Sequence, residues 1–592
     1  NMHQAATVDN SNGHLPYYVQ DVINSQAGKL TLRKVYFTYG RNYTGSLNPY
    51  VFNYSENNPD YAYRKADRWS NYKDNSLSGN YSHLTEGEYP YVIQDTSVTY
   101  EFDRAWQLTE IQLPTGGKIR VQYEADDYAY VQDRPAGQMY MVRGFGPDPG
   151  TCKNELYNTA GDQYPYVFFD VPSTIGDLEQ TYLRGQQYIA FRVSCKLTAN
   201  SNYEENIWGY AEVDRSGQAI GAVSSTRIWV RLKLVDGKNP VVKQALQFLR
   251  SNAPEAAYGY NANPNTSVID AIRSLVGSIG DVLTWMRSFE SKAIGQNSAR
   301  WISTSKSWAR LNNWNGRKLG GGYRVASISL SDEWNAMTSS ATQTYSEFYD
   351  YSMVDTDGRV ISSGVASWEP SLGGEENSHR TPKFYKRRRA LGPDDYLFQE
   401  SPLCESLYPA PSIVYRRVTK TSGVPLAAGN LPAGFQVSEF YTAYDFPVIV
   451  DNTTINHKQS PKALGFLKRL FKVMVNDYCT TSQGYKIVTN DMHGKQKTEA
   501  AYSSSGSLIA KTTYRYRQST TPEGKPILDN KVAVMDARGQ IKEAEIGRHY
   551  DFWVDMREHT TEIVEAGVQA NSELLFFVIL PPLPVTPLPF PL

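Results

Sequence analysis

A turn-forming polar residue stands three positions before a glycine again and again along this chain, between runs of β-type residues. Asp214 and Gly217, Asp355 and Gly358, Asp491 and Gly494, Ser503 and Gly506, and Asp536 and Gly539 are such pairs. Glycine there supplies the positive φ of a tight corner, while the polar side chain hydrogen-bonds the turn backbone. Corners of this kind impose hairpins. Their spacing is irregular, which predicts a degenerate antiparallel meander rather than a strict solenoid.

Strand patterns fill the stretches between corners. Residues 29–39 (KLTLRKVYFTY) alternate apolar and polar before Gly40, as a half-buried strand requires. Residues 111–113 and 118–123 flank Pro114, Thr115, Gly116 and Gly117 as the two arms of a hairpin. Residues 188–197, 206–213 and 228–235 continue the series, the last closed by Asp236 and Gly237. The chain holds 43 Tyr against 21 Phe. That excess suits sheets with one half-exposed face, because a Tyr ring covers cross-strand neighbours while its hydroxyl reaches water.

A helical interval interrupts the β pattern. Residues 240–250 start on a proline and carry apolar side chains at helical spacing. Residues 267–289 open on a capping-box-like start and place Val268, Ile272, Leu275, Ile279, Val282, Met286 and Phe289 on one face. The opposite face is not rich in Lys or Arg, so packing on the β body is expected rather than membrane activity. Residues 466–473 read as a short docked helix. At the end, residues 574–580 (LLFFVIL) precede a proline-rich stretch. Seven apolar residues do not span a bilayer, so no transmembrane helix is expected, and burial within a longer chain is the expectation for this tail. The opening residues lack a signal-peptide pattern, which suggests that the natural start lies upstream.

The expected fold is therefore mainly β: an irregular antiparallel β-meander forming a sheet or shell, with a helical insertion. The segments are a β-rich part at 1–237, the helical insertion at 238–316, a second β-rich part at 317–570, and the apolar tail at 571–592.

Chemistry is sparsely signalled. Sixty Lys plus Arg balance 61 Asp plus Glu, a formal net charge of -1, so no global field favours nucleic acid. The eight histidines are scattered and the four cysteines lie far apart, which removes HExxH and CxxC metal sites. One bridge, between Cys152 and Cys195, is conceivable. Neither a nucleophile elbow nor a phosphate loop is found, and no catalytic residue is assigned. Asp355 and Asp357 beside Gly358 resemble part of a calcium loop, but the third acidic ligand and the distal Glu are missing, so a plain turn is expected. Asp126 and Asp127, with Glu124, and the pair Asp394 and Asp395 are further candidates for a hard cation or a paired-carboxylate site. Capping of backbone amides is the default for such loop acids. The basic run Lys386, Arg387, Arg388 and Arg389, preceded by Arg380 and Lys383, is flanked by acids and reads as a solvated or salt-bridged loop.

Several blocks carry a resemblance. Residues 67–73 (DRWSNYK), 114–132 (PTGGKIRVQYEADDYAYVQ), 363–370 (SGVASWEP), 482–485 (SQGY) and 490–496 (NDMHGKQ) resemble very large secreted proteins of Bacteroidota. Those proteins are distantly similar to RHS/YD-repeat and toxin-complex proteins. The resemblance implies a β-strand shell that encloses or presents a cargo or toxin domain without catalysis by the shell. It also implies extracellular or outer-membrane-associated placement, and partners that are other segments of the same longer chain. Two alternatives stand beside it. One is a glycan-binding or glycan-cleaving surface built on Trp69, Tyr72, Tyr128 and Tyr130 beside Asp126 and Asp127. The other is a substrate or accessory partner of an outer-membrane secretion machine.

Overall fold

The computed structural model describes residues 31–252 and 288–579, apart from 39, 57, 60–64, 75–90, 200–203, 334–337, 339–343, 372–373, 390–392, 404–407, 409, 424–433, 460–461, 464–471, 490–491, 523, 548 and 570–571. The fold is mainly β and its sheets are antiparallel apart from one short parallel pair.

A long ten-stranded sheet runs in the order Lys34–Val35, Tyr50–Tyr54, Leu108–Gln112, Lys118–Tyr128, Lys318–Ser331, Thr344–Asp350, Arg417–Ser422, Gly434–Tyr441, Lys495–Ser503 and Leu508–Thr513. Most of its side chains are half-buried, and aromatic pairs across strands cover its faces. Phe435 and Tyr502 are register partners whose rings stack at 4.9 Å, and Tyr123 meets Tyr323 edge-on at 5.3 Å. Contacts of this kind are the unit of sheet stabilisation, and they explain the abundance of tyrosine. The pairing of Lys118–Tyr128 with Lys318–Ser331 shifts register between Leu319 and Tyr323. Gly321 lies there at φ +104, where a Cβ would stand 2.1 Å from the Ile413 side chain. This bulge bends the sheet.

A seven-stranded sheet holds the main core. Its order is Glu204–Glu212, Tyr188–Lys196, Ile302–Asn312, Gly137–Gly146, Tyr166–Asp170, Arg227–Arg231 and Ile220–Ser224. Phe145, Phe169, Phe191 and Val193 from this sheet pack with Leu246 and Leu249 of the helix Pro240–Asn252. Asn239 caps that helix from a fully buried position, accepting from the Val241 N–H at 2.8 Å and donating to the Tyr164 carbonyl at 2.7 Å. Lys243 then ties the helix to the Phe289–Gly295 helix through Glu290, at 2.6 Å.

A small sheet links the two large ones: Ile413–Tyr415, Gly364–Ala366, Tyr130–Val131 and Arg134–Pro135, the middle two parallel. Toward the C-terminus, Lys472–Val488 pairs along its length with His549–Gln569, which pairs in turn with Ser572–Ile579.

Four corners share one geometry. In the turns at Asp355, Ser503, Asp536 and Thr521 the first residue donates its N–H to the residue four on, and the glycine three on donates back to the first residue's carbonyl. Gly358, Gly506, Gly539 and Gly524 all have φ between +77 and +81. This is the three-residue hairpin loop closed by a left-handed residue. The polar residue adds a side-chain cap: Asp355 Oδ1 accepts from the N–H groups of Asp357 and Arg359, each at 2.9 Å. Asp536 does the same for Arg538 and Gln540. The corner at Asp214 differs, since Gly217 is not at positive φ.

Several expectations change. The helical insertion, drawn at 238–316, contains the strand Ile302–Asn312, which lies between Tyr188–Lys196 and Gly137–Gly146. Burial of Trp308, Ala309 and Leu311 in the sheet outweighs the helical composition upstream. The strand expected at 29–39 is reduced, among the described residues, to Lys34–Val35. Of the 571–592 tail, Ser572–Ile579 is a strand and the proline-rich remainder lies outside the described residues. The helix at 267–289 falls mostly outside them too, as does most of 466–473, whose last two residues begin the Lys472–Val488 strand. Cys152 is exposed, Cys195 is buried, and neither is bridged. Among the described residues no helix is long and apolar enough to cross a membrane.

Gly358 has open space where a Cβ would go, so only its positive φ opposes substitution. Gly358→Ala should lower stability by about 1 kcal/mol. Gly364→Ala should cost far more, because its Cβ would fall 2.2 Å from the Asp127 carbonyl oxygen. Denaturant melts of the two variants check the ranking.

Candidate functional site

The densest chemistry in the molecule is a buried ionic cluster, and three of the resembling sequence blocks meet in it. Lys318 and Tyr128 are register partners in the long sheet, and both reach Glu369. Lys318 Nζ lies 2.7 Å from Glu369 Oε1, and the Tyr128 hydroxyl donates to the same oxygen. Arg68 enters from the loop at residues 67–73. It donates to Glu376 at 2.8 Å and to the Pro370 carbonyl at 2.8 Å, with Glu369 at 3.9 Å. Lys318 also stands 3.5 Å from Glu376. The side chains of Arg68 and Glu369 are entirely buried.

Charge balance decides the protonation states. Desolvation opposes the Glu369 carboxylate, but Lys318 and Arg68 and the hydrogen bonds from Lys318 and Tyr128 outweigh it, so its pKa lies below the ordinary value. Desolvation also opposes the Arg68 charge, and Glu369 and Glu376 overcome it. Burial, followed by the Glu369 charge, pushes Tyr128 well above its usual range; it remains a neutral donor. Each charge in the cluster faces an opposite one, while Arg68 Nε and Glu369 Oε2 are buried without a hydrogen-bond partner of their own.

The aromatic candidates do not form one platform. Tyr128 is fully buried, its ring edge-on to the half-buried Trp69 at 5.9 Å, so it offers no face to a sugar. Tyr72 packs on Phe102 at 5.8 Å, and Tyr130 on Tyr444 at 4.6 Å. The acids are equally engaged. Asp126 accepts from the Tyr415 hydroxyl at 2.6 Å. Asp127 pairs with Arg324 and accepts from Ser362 Oγ at 2.6 Å, while Arg324 also holds Glu124 at 2.6 Å. Asp355 faces Arg359 at 3.2 Å and Arg184 at 3.5 Å, and Asp357 faces Arg184 at 3.3 Å. Arginines thus stand beside Asp127, Asp355 and Asp357, while Asp126 faces a hydroxyl. Among the described residues no group of three or more His, Cys, Asp or Glu is placed to hold a metal ion.

The basic run is salt-bridged as expected. Arg387 reaches Asp395 at 2.6 Å and Glu558 at 2.9 Å, Arg389 reaches Asp395 at 2.8 Å, and Lys386 reaches Asp394 at 3.0 Å. Sequence patterns missed Arg68, Lys318, Glu369 and Glu376 as a unit, since no spacing connects them. A second grouping was missed for the same reason: Arg134, Arg184, Arg310, Arg380 and Lys383 line a single cleft.

No family model matches the chain, and no curated protein matches its sequence.

Two outcomes follow from these charges. Glu369→Gln should destabilise the fold by about 3 to 5 kcal/mol, because Lys318 and Arg68 stay buried without their counter-charge; chemical denaturation measures it. With a folded pKa below the unfolded one, the Glu369 contribution is present above the ordinary carboxylate range and is lost as pH falls. Asp103 behaves oppositely: burial first, then Asp67 and Asp126, raise its pKa to about 8. Its contribution is complete below the unfolded value and is lost as pH rises through about 8. Asp103→Asn should therefore raise the melting temperature at alkaline pH relative to the native chain, in melts taken across a pH series.

Proposed function

We propose that the chain is a non-enzymatic structural segment of a large secreted or cell-surface protein of the RHS/YD-like type. In this role it is a stiff wall that encloses or presents another part of the same longer chain. The observation that carries this reading is the buried ionic cluster. Arg68, Tyr128, Lys318 and the pair Glu369 and Glu376 come from stretches far apart in sequence, and the two cations face the two carboxylates inside the protein. Side chains arranged in this way resist shear between sheets. A reaction centre would instead leave a nucleophile, acid or base open at a cleft.

The sheet architecture supports the same role. Ten strands in one antiparallel sheet, with glycine turns at Gly116 and Gly506 between neighbouring strands, extend a surface with little helical bulk. The Ser572–Ile579 strand occupies the outer position of its sheet, where further strands from a longer chain or a partner can add.

Limited proteolysis with mass spectrometry tests the proposal. A wall knotted in this way should yield a resistant body that retains both Arg68 and Glu369 after the surface loops are cut, with no turnover of glycoside, peptide or ester substrates. Separation of the two residues into independent fragments, or turnover abolished by a single substitution, would overturn it.

A further inference from the structure

The cleft of about 450 Å³ lined by five cations has a charge imbalance that the ionic cluster lacks. It lies where the residues leading into the Tyr188–Lys196 strand approach Ile302–Asn312 and the Thr381–Arg387 strand. Among the described residues no carboxylate lines it. Two of its cations are neutralised from behind: Arg184 by Asp355 and Asp357, and Arg380 by Glu400 at 2.9 Å.

The other three are not. Arg310 is 3% exposed and is held by main-chain carbonyls, those of Glu375 at 3.1 Å, Asn377 and Arg380 at 2.9 Å. It has no carboxylate partner among the described residues. Among the described residues the hydrogen bonds of Arg134 go to the carbonyls of Ser378 and His379, both at 3.4 Å. Partial desolvation lowers the Arg134 pKa, Asp133 opposes that shift, and the Arg310 charge adds to it. Lys383 has no partner among the described residues. A buried guanidinium without a counter-charge is costly, and three cations around one cleft repel one another. A bound anion removes both penalties.

The neutral part of the lining narrows the class of anion. Tyr188 presents a half-buried ring at the cleft, tilted against Phe384 at 5.2 Å, which can take the C–H face of a sugar ring. Gln187 lines the cleft with no side-chain hydrogen bond among the described residues, and Asn312 Nδ2 is a buried donor without an acceptor there. Amides of this kind suit hydroxyl groups, while guanidinium forks match carboxylate or sulfate. The volume exceeds that of an inorganic ion and lies within the usual range for organic ligands.

We propose that this cleft binds an acidic saccharide, its carboxylate or sulfate held by Arg310, Arg134 and Lys383 and its ring set against Tyr188. The site is separate from the aromatic residues 69, 72, 128 and 130, and it adds a binding function to the scaffold.

Isothermal titration of the purified chain with trigalacturonate, heparin tetrasaccharide, maltotriose and hexaglutamate tests it. Binding of trigalacturonate assigns the carboxylate form, and binding of the heparin fragment the sulfate form. Maltotriose should not bind, and hexaglutamate should bind more weakly than the sugar. The double charge reversal R134E/K383E should weaken saccharide binding by about tenfold or more at an unchanged melting temperature, while the remote exposed Lys511→Glu leaves it within about twofold. Failure of both acidic sugars to bind the folded chain, equal binding of hexaglutamate, or retained affinity in R134E/K383E would overturn the assignment.

Discussion

The structure depends on the removal of two cations and two carboxylates from water at one place. Neither Arg68 nor Lys318 could be buried alone, and neither could Glu369 or Glu376; each tolerates burial because the others lie within ionic reach. That mutual requirement forces three stretches of chain together, around residues 68, 318 and 369–376. The register of the long sheet is part of it, because Lys318 and Tyr128 must stand opposite each other for both to reach Glu369. A slip of one residue would turn Lys318 to the opposite face of the sheet. Hydrophobic burial alone supplies no such specification in a sheet whose faces are mostly half-exposed.

The two large sheets are stabilised differently. In the seven-stranded sheet Phe145, Phe168 and Phe169 are almost wholly buried, as are Tyr157 and Tyr182 in the segments beside it, and ordinary apolar burial, including that against the Pro240–Asn252 helix, holds it. The ten-stranded sheet relies on cross-strand aromatic contacts and on charge pairs such as Arg324 with Asp127 and Glu124. Arg324 is also sandwiched by rings, 4.5 Å from Tyr351 and 4.9 Å from Tyr415. Tyrosine therefore serves this sheet both as a cover and as a hydrogen-bond donor.

Local features were legible in advance where one segment carried its own instructions. The hairpin Leu108–Gln112 to Lys118–Tyr128, the Pro240–Asn252 helix and the capped corners at Asp355 and Asp536 follow from residues within a few positions of one another. Ile302–Asn312 was misjudged because its strand state comes from neighbours on both sides that are more than a hundred residues away in sequence. Tyr128 was a candidate for a glycan-binding surface; its burial comes from the linking sheet and from Trp69. The cleft cations were invisible as a group. Arg134, Arg310 and Lys383 sit on three separate strands or loops, and what makes them a site is the lack of acids around a shared space.

The amino-acid sequence by itself determined the mainly β class, the positions of several corners and the start of the Pro240–Asn252 helix. Those outcomes rest on backbone preferences, side-chain caps and short-range periodicity, which act between near neighbours. Tertiary structure alone decided which charges are buried and paired, which aromatics are covered, and where unpaired cations converge. Desolvation and Coulomb energy depend on distance in space, and chain order does not encode that distance.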